Sequence, residues 1–306
     1  MPEASRQTIS DYLSPHTLAE IENYQLLAKV AVEGFLSGSH RSLRRGTGSE
    51  FLQYRNYVPG DDPKYVDWQL YARLNRLHTK VFQEETNMNC CVVLDASASM
   101  GYRGSRAPCT KLHYASMIAA CLGYLAFRQT DNIGLYAFTD ELTSVLPPRR
   151  RTGQLSRLFG EISRLRVGGR SAAASVLPTV AESLRERGVV VILSDFLSGD
   201  EDLLTQLRRF RAQRHECVVF QILDPDELDL PFERTTRFID SETGERQVTY
   251  PETFRDEYRE SVRHHHQRIR EACLQSQTDY QQVTSDMSLG GVLSAYLHRR
   301  GRCGPW

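Results

Sequence analysis

The sequence lacks the cysteine spacing of a disulfide framework or a zinc ribbon. Its seven cysteines are an odd number, and no two of them form a C-x-x-C pair, although Cys90 and Cys91 are adjacent. Isolated cysteines of this kind are typical of small buried side chains in a reducing compartment. The pattern therefore argues against a secreted scaffold stabilised by disulfides.

A secretory leader and a long apolar run are also missing. The N-terminal stretch MPEASRQTISDYLSPHTL has no apolar core of the kind that signal peptides carry. The longest nearly uncharged run, 117–127, is much shorter than the roughly 20 residues that a membrane-spanning helix needs. We therefore expect a cytoplasmic protein with no segment inserted in a membrane.

An excess of charge of either sign is absent as well. Lys plus Arg number 38 and Asp plus Glu number 38, so the formal net charge is zero. A protein that holds nucleic acid through its phosphates usually carries a basic surplus. We expect no nucleic-acid partner.

Two common catalytic motifs do not occur in the sequence. There is no G-x-x-x-x-G-K-[ST] phosphate loop and no G-x-S-x-G nucleophile turn. The first absence argues against an ATPase that binds its own nucleotide, and the second weakens a hydrolase interpretation.

From Cys90 onward, short apolar runs alternate with helical segments, which are predicted at 111–128, 153–165, 174–187 and 200–212. The apolar runs are CCVVLD, NIGLYAF, VVVILSD and ECVVFQILD. Continuous apolar strands between helices are typical of a parallel sheet that is covered on both faces. With right-handed crossovers, the predicted fold class is α/β, a doubly wound and mainly parallel sheet.

The predicted organisation has two parts. Residues 1–86 contain an N-terminal helix, starting at Ser14-Pro15 and ending near Leu36, and an irregular region with short strands. Residues 87–306 contain the sheet, followed by a hairpin near 236–250, one more strand at DYQQVTSD and C-terminal helices.

Polar oxygens follow three of the predicted elements. Asp95, Ser97 and Ser99 come at and after the end of CCVVLD, Ser171 lies in GGRSAAASVL, and Asp195 ends VVVILSD. Residues two apart in an extended chain point the same way, so D-x-S-x-S can direct three oxygens at one point. Alone, this motif is also typical of a polar turn, but two carboxylates with three hydroxyls suit Mg²⁺ or Mn²⁺.

The same pattern resembles the metal-ion-dependent adhesion site of von Willebrand factor A domains. D-x-S-x-S is followed by G-G-x-S and then by an Asp after an apolar strand. The resemblance implies that the five residues just named bind the cation, and that an acidic residue of a partner completes its shell. The chain departs from the family by having Ser171 where Thr is usual, Arg170 beside it, and Ser194-Asp195-Phe196 where T-D-G is frequent.

A second resemblance lies upstream, in GSEFLQYRNYVPGDDPKYVDWQLYARL, residues 48–74. This segment resembles the signature of the bacterial domain-of-unknown-function family fifty-eight, with E-F, R-x-Y, P-G-D-D, V-D-W and A-R. The matching residues are Arg55, Tyr57, Gly60, Asp61, Asp62, Asp67, Trp68 and Arg73. Genes of that family commonly lie beside those of MoxR-type AAA+ ATPases, so the resemblance implies such an ATPase, or its client protein, as a partner.

The acidic residues of this signature admit a second interpretation. Asp61, Asp62 and Asp67 could form an acidic metal site, but P-G-D-D is typical of a turn in which Asp side chains accept from nearby backbone amides. We favour the turn, and we expect Arg55 and Arg73 to pair with these carboxylates in a buried network.

Two further clusters are interpreted as ordinary helix features. Asp224, Asp226 and Glu227 in LDPDELD predict a turn and a helix start. The three consecutive histidines 264–266 diverge by about 100° per residue on a helix, so they cannot converge on one ion and predict a solvated face.

Three functional hypotheses follow. The favoured one is a non-enzymatic, metal-dependent interaction module, an adaptor that works with a MoxR-type ATPase in complex assembly or remodelling. The second is a metal-independent structural adaptor that binds through residues 46–73. The third is a metal-dependent hydrolase using Asp95 or Asp195, with Ser97 or Ser99 and His113 drawn as a triad, for which the spacing offers no support.

Overall fold

The structure is a computed structural model that describes residues 15–38, 51–82, 88–197 and 202–302. Within these residues the chain forms two compact units. The larger unit contains 15–38 together with everything described from Met88 onward, and the smaller contains 51–82.

The bounds of the elements in the described residues are as follows. The strands are β1 Phe51–Asn56, β2 His78–Phe82, β3 Asn89–Asp95, β4 Asn132–Phe138, β5 Leu142–Arg149, β6 Gly188–Ser194, β7 Glu216–Leu223, β8 Thr236–Ile239, β9 Arg246–Thr249 and β10 Asp279–Thr284. The helices are α1 Pro15–Ala19, α2 Tyr24–Gly38, α3 Trp68–Leu74, α4 Lys111–Arg128, α5 Gln154–Arg164, α6 Ala173–Ser183, α7 Leu203–Ala212, α8 Pro225–Asp229, α9 Arg255–Gln275 and α10 Leu289–Arg302.

A six-stranded sheet organises the larger unit, in the order β10-β7-β6-β3-β4-β5. All neighbouring pairs are parallel except β4 and β5, which are antiparallel. The chain starts at β3, extends to β4 and β5 on one side, and then crosses to β6 on the other side. The direction of winding therefore changes between β3 and β6, which makes this the switch point where ligands bind in open α/β sheets.

Helices cover both faces of the sheet. On β3, Val92 and Leu94 pack in one core with residues of α2, α4, α5 and α10, whereas Cys91 and Val93 pack in the other core with α6, α7 and α9. Each fully buried Val or Leu contributes roughly 1.5–3 kcal/mol, so continuous apolar strands are stable only when both faces are covered. The prediction of a doubly wound, mainly parallel sheet with helices on both faces is confirmed.

The N-terminal helix differs from its prediction in two ways. It is split into α1 and α2, because the Asn23 side chain accepts hydrogen bonds from the second and third amides after it and caps α2 anew. Leu27 and Val32 of α2 are fully buried in the core of the larger unit. The helix thus belongs with the sheet, whereas the predicted boundary after residue 86 grouped it with the signature region; Ser14 lies outside the described residues.

The edge strand β5 was not predicted. Its sequence, LTSVLPPR, carries Pro147 and Pro148, which lack the backbone donor that an interior strand needs. Proline is tolerated at a sheet edge, and β5 pairs only with β4 in the described structure.

The remaining predicted β-structure is confirmed. β8 and β9 form the antiparallel hairpin near 236–250, and β10 adds a parallel strand next to β7. In the smaller unit, β1 pairs antiparallel with β2, and the short helix α3, which was not predicted, lies between them in sequence. None of the helices in the described ranges is both long and apolar enough to cross a membrane.

Candidate cation site

The two predicted carboxylates lie side by side at the switch point. Asp95 is the last residue of β3, and Asp195 directly follows β6, the strand paired with β3. Both residues are fully buried. A parallel sheet directs the carboxyl ends of its strands to one edge, which is why residues 100 positions apart meet here.

Asp95 organises three of the predicted ligands and neighbours. Its Oδ1 accepts a hydrogen bond from the Ser97 backbone N–H at 2.8 Å. Its Oδ2 accepts from the Ser171 hydroxyl at 2.8 Å and from the Ser194 hydroxyl at 2.7 Å. Ser194, which departs from the family pattern, was not predicted as a site residue, and in the structure it fixes the Asp95 carboxylate.

The two hydroxyls of D-x-S-x-S also converge. Ser97 Oγ and Ser99 Oγ lie 3.2 Å apart and both residues are buried. Adjacent ligands of an octahedral Mg²⁺ ion lie about 3.0 Å apart, because the metal–oxygen distances are about 2.1 Å. This pair of oxygens therefore has a spacing that fits two neighbouring coordination positions.

Backbone hydrogen bonds hold the Ser171 loop against the end of β3. Gly168 N–H donates to Ala96 O at 3.0 Å, and Ala98 N–H donates to Gly169 O at 3.1 Å. Since both loops are fixed to each other through the main chain, the Ser171 hydroxyl reaches Asp95 from a defined direction.

The environment makes the site electrostatically strained without a cation. Burial and the negative charge of Asp195 raise the pKa of Asp95 to about 6, despite the hydrogen bonds that it accepts. Two buried carboxylates in close proximity need a compensating positive charge.

Part of that charge comes from Lys111, which the sequence analysis missed. Its ammonium Nζ lies 2.8 Å from Asp195 Oδ2 and 2.6 Å from Glu227 Oε1, and the lysine side chain is fully buried. Burial disfavours the ammonium, but the charges of Asp195 and Glu227 outweigh burial and raise the pKa of Lys111. A lysine opening the otherwise apolar helix KLHYASMIAACLGYLAF was the available signal.

The residues fit a divalent cation. Asp95, Asp195 and Glu227 carry one negative charge each and Lys111 one positive charge, which leaves two negative charges at the site. In the part of the chain that the structure describes, no group of three or more His, Cys, Asp and Glu side chains could hold a metal ion. A cation here would therefore depend on the serine hydroxyls, which is the donor set that hard cations accept.

The aspartates of the upstream signature are used structurally. Asp61 accepts from Val58 N–H at 3.0 Å and pairs with Arg55 at 2.7 Å, and Asp67 caps α3 through Leu70 N–H at 3.0 Å. Asp62 likewise accepts from the Lys64 backbone, and Gly60 has a φ of +109° that glycine tolerates. The predicted turn is confirmed, and these three carboxylates already have partners.

Of the predicted network around this turn, the Arg55–Asp61 pair is confirmed, but its burial and the participation of Arg73 are wrong. The Arg55 side chain is 45% exposed, so its pair with Asp61 lies at the surface. Arg73, in the last turn of α3, is exposed and forms no ion pair among the described residues. Trp68 is exposed as well, with its ring edge-on to Tyr71.

The family assignment rests on the segment that contains this signature. A family model described as "Protein of unknown function DUF58" matches residues 53–268, which cover the signature from Gln53 onward and the cation site. The chain therefore belongs to the DUF58 family. Uncharacterized proteins of Mycobacterium bovis and Mycobacterium tuberculosis are each 28% identical to it over 270 residues, covering 86% of this chain and 82% of theirs.

Solved structures of other proteins show weaker likeness. BatB from Bacteroides thetaiotaomicron aligns with a TM-score of 0.47 at 14% identity, over 70% of this chain and 99% of BatB. An aerotolerance-related membrane protein from Bacteroides fragilis aligns with a TM-score of 0.44 at 16% identity, over 69% and 99%. The SpRpn10 VWA domain aligns with a TM-score of 0.33 at 15% identity, over 45% and 76%.

The acidic segment LDPDELD does more in this DUF58 chain than start a helix. The predicted helix start is confirmed, and Asp224 and Glu227 form a capping box at the start of α8. In addition, Asp224 Oδ2 accepts from Gly104 N–H at 2.8 Å, and Asp226 pairs with Arg106 at 2.6 Å. The segment thereby fixes the loop that joins the D-x-S-x-S turn to α4.

His113 and the consecutive histidines 264–266 differ in their surroundings from the catalytic triad and the solvated face considered from the sequence. His113 bonds the Tyr24 hydroxyl through Nδ1 at 3.1 Å, whereas Asp195 bonds Lys111, so the triad drawn for a hydrolase is not assembled. His264 is exposed, but His265 and His266 are partly buried, which contradicts a fully solvated face. His265 Nε2 lies 2.9 Å from Phe196 O and links α9 to the Asp195 loop.

Proposed function

We propose that this chain is a non-enzymatic protein-interaction module whose partner binding depends on Mg²⁺ or Mn²⁺. The residues that would hold the cation are Asp95, Ser97, Ser99, Ser171 and Asp195. The observation that carries the proposal is the convergence of buried carboxylates and hydroxyls at the sheet's switch point. When bound, the cation would offer a positive charge to a carboxylate of the partner.

The protein's own residues prepare this site in two ways. Asp95 accepts the hydroxyl hydrogen of Ser171, which leaves the lone pairs of that oxygen for a cation. Lys111 neutralises part of the charge of Asp195. The cation would therefore keep more of its charge for an incoming acidic side chain than it would between two unpaired carboxylates.

The partner we propose is a MoxR-type AAA+ ATPase or the client protein of such an ATPase. Membership of the DUF58 family supports this choice, because the resemblance to that family implies a MoxR-type ATPase encoded by a neighbouring gene. The sequence has no phosphate loop of its own. In this proposal the ATPase supplies the energy, this chain supplies recognition, and the two meet in the cytoplasm.

Calorimetric titration of Mg²⁺ and Mn²⁺ into the metal-stripped chain tests the cation site. We expect saturable binding in the wild type, loss of it in Asp95→Ala, and weaker binding in Ser171→Ala. The matched control is Ser175→Ala, because Ser175 is an exposed serine in the first turn of α6 whose hydroxyl donates to Ala172 O, away from the cation site. Circular dichroism checks that each variant is folded.

Partner binding is then measured with the purified MoxR-type ATPase in Mg²⁺ and in EDTA. Binding that requires Mg²⁺ and is reduced by Ser171→Ala, but not by Ser175→Ala, supports the proposal. If neither cation gives saturable heat with the wild type, or if Asp95→Ala binds the ATPase as well as the wild type does, the proposal is wrong.

A second candidate, the metal-independent adaptor, is favoured by the surface of the smaller unit. Several of its large apolar and aromatic side chains are more than a third exposed: Val58, Tyr65, Trp68, Tyr71 and Leu74. A concentration of such side chains on a small unit is typical of an interaction surface. Residues 46–50 of the predicted 46–73 segment lie outside the described residues.

The two candidates respond differently to EDTA. The adaptor hypothesis requires binding that EDTA leaves intact and that the double variant Trp68→Ala, Tyr71→Ala abolishes. Tyr250→Ala, which removes an even more exposed aromatic ring from the larger unit, serves as the control. Loss of binding on EDTA addition contradicts it.

A further inference from the structure

The turn of the β8–β9 hairpin lies against the cation site. Glu242 Oε1 accepts a hydrogen bond from the Ser171 backbone N–H at 3.4 Å. Ser171 is the residue whose hydroxyl bonds Asp95, so the Glu242 carboxylate comes from another part of the chain to the rim of the site.

The turn itself is well ordered by local hydrogen bonds. Asp240 Oδ1 accepts from Glu242 N–H at 2.7 Å and from Thr243 N–H at 3.0 Å. Gly244 closes the turn with a φ of +74° and donates to Asp240 O at 2.8 Å. These contacts hold the Glu242 backbone in one conformation, as a preorganised ligand requires.

Glu242 is the most covered residue of the hairpin turn. Every residue from Ile239 to Val248 is exposed apart from Glu242, which is partly buried. The hairpin contributes no residue to either buried core cluster. A two-stranded hairpin with so little buried apolar surface is held weakly and can move away at small cost.

The hairpin also explains why an arginine, Arg170, lies next to Ser171. A positive residue, Arg170, is unexpected beside a cation site. Its charge acts on Asp240: hydrogen bonds from the Thr243 and Glu242 amides lower the pKa of Asp240, and Arg170 lowers it further. Two carboxylates two residues apart are thus aligned with two adjacent residues: Glu242 accepts from the Ser171 N–H, and Asp240 lies within range of the Arg170 charge.

We propose that Glu242 is an internal ligand of the cation site. The β8–β9 hairpin occupies the site until a partner segment with the same spacing of carboxylates displaces the hairpin. This inference rests on the proposed function, and it specifies both the regulation of the site and the chemistry of the partner. The partner presents two acidic residues two positions apart in a tight turn, one for the cation position and one for Arg170.

The test uses the full chain, Glu242→Gln and the matched control Glu245→Gln, since Glu245 is an exposed carboxylate in the same turn. The probe is a fluorescent peptide of residues 236–249, closed by a disulfide between added terminal cysteines, titrated in excess Mg²⁺. We expect Glu242→Gln to bind the probe roughly tenfold more tightly than the wild type does, which corresponds to a site that is closed nine-tenths of the time. Mn²⁺ affinity should fall in the same variant, because a carboxylate ligand is lost.

Opposite changes in the two affinities, absent in Glu245→Gln, support the inference. If the wild type binds Mn²⁺ but Glu242→Gln changes neither affinity, or if Glu245→Gln has the same effect, the inference is overturned while the proposed function stands. Failure of the wild type to bind Mn²⁺ overturns the proposed function. In that case the hydrogen bond between Ser171 N–H and Glu242 is tested separately, by comparing the metal-free Ser171 amide chemical shift of the wild type and of Glu242→Gln. An unchanged chemical shift overturns the contact as well.

Discussion

The Lys111 ammonium lies 2.8 Å from the Asp195 carboxylate, and neither side chain is exposed to solvent. Glu227 bonds the same ammonium at 2.6 Å. A buried charge is tolerated only when it is paired, so this lysine is the counter-charge that lets two acidic groups remain inside the larger unit.

Replacing Lys111 by Met should destabilise the larger unit strongly. The variant keeps the volume but leaves the buried Asp195 and the partly buried Glu227 without their cation, which costs roughly 3–5 kcal/mol. Urea unfolding followed by circular dichroism measures the change. Arg209→Met is the control, because it removes an exposed ion pair with Glu182 worth at most about 1 kcal/mol. Equal losses in the two variants would contradict a special role for the buried lysine.

Asp95→Asn should separate stability from function. The ionised Asp95 is unfavourable in the absence of a cation, because burial and Asp195 raise its pKa to about 6. A carboxyl group whose pKa is raised by folding contributes stability at pH values below its pKa in the unfolded chain. This stability is lost as the pH rises through the folded-state pKa of about 6. At pH 8 we therefore expect the metal-free variant to be more stable than the wild type, by on the order of 1–3 kcal/mol.

The same variant should lose Mn²⁺ binding, and with it the rise in melting temperature that excess Mn²⁺ gives the wild type. Differential scanning fluorimetry with Mn²⁺ and with EDTA measures both effects. Ser175→Ala should behave as the wild type does. An Asp95→Asn protein that is less stable without metal, yet still stabilised by Mn²⁺, would show that Asp95 is a structural residue only.

The sequence predicted those parts of the fold that depend on local pattern. Five of the six strands in the central sheet were expected because each is a short apolar or alternating run between helices. The edge strand β5 was not, since Pro147 and Pro148 argue against a strand wherever its place in the sheet is unknown. An edge position is a property of the tertiary structure, and no local pattern reveals it.

The residues of the candidate site also divide into those that a local motif predicts and those that only the fold brings together. Asp95, Ser97 and Ser99 are close in sequence, so their convergence followed from the spacing of one motif. Lys111 and Glu242 reach the site across 84 and 71 residues, respectively. A lysine at the start of an otherwise apolar helix was an available signal for Lys111, whereas Glu242 had none, and only the folded chain brings either side chain to the site.

Gly104→Ala tests the clamp that the LDPDELD segment forms on the loop before α4. A methyl group at this position would come within 2.6 Å of Asp226 Oδ2 and would also meet Asp224 Oδ1. We expect a loss of roughly 1–3 kcal/mol in the free energy of unfolding, because these carboxylates are fixed by other hydrogen bonds. Gly160→Ala is the matched control: nothing lies within 4 Å of the added carbon, and α5 should gain roughly 0.5–1 kcal/mol. Denaturation curves that change alike for both variants would show that the clamp can rearrange freely.

His266 should make the larger unit sensitive to mild acid. Burial, with a smaller contribution from the neighbouring His265, lowers the pKa of His266 from its usual 6.5 to about 4. Between these two values the unfolded chain binds a proton that the folded chain refuses, so the free energy of unfolding should fall as the pH decreases from 6.5 towards 4. Replacing His266 by Gln should make that decline shallower, whereas His264→Gln, an exposed change two residues away on α9, should leave it as in the wild type. Urea unfolding at pH 7.5, 6 and 5 measures the slopes, and identical slopes for the wild type and His266→Gln would show that this ring remains accessible to protons in the folded state.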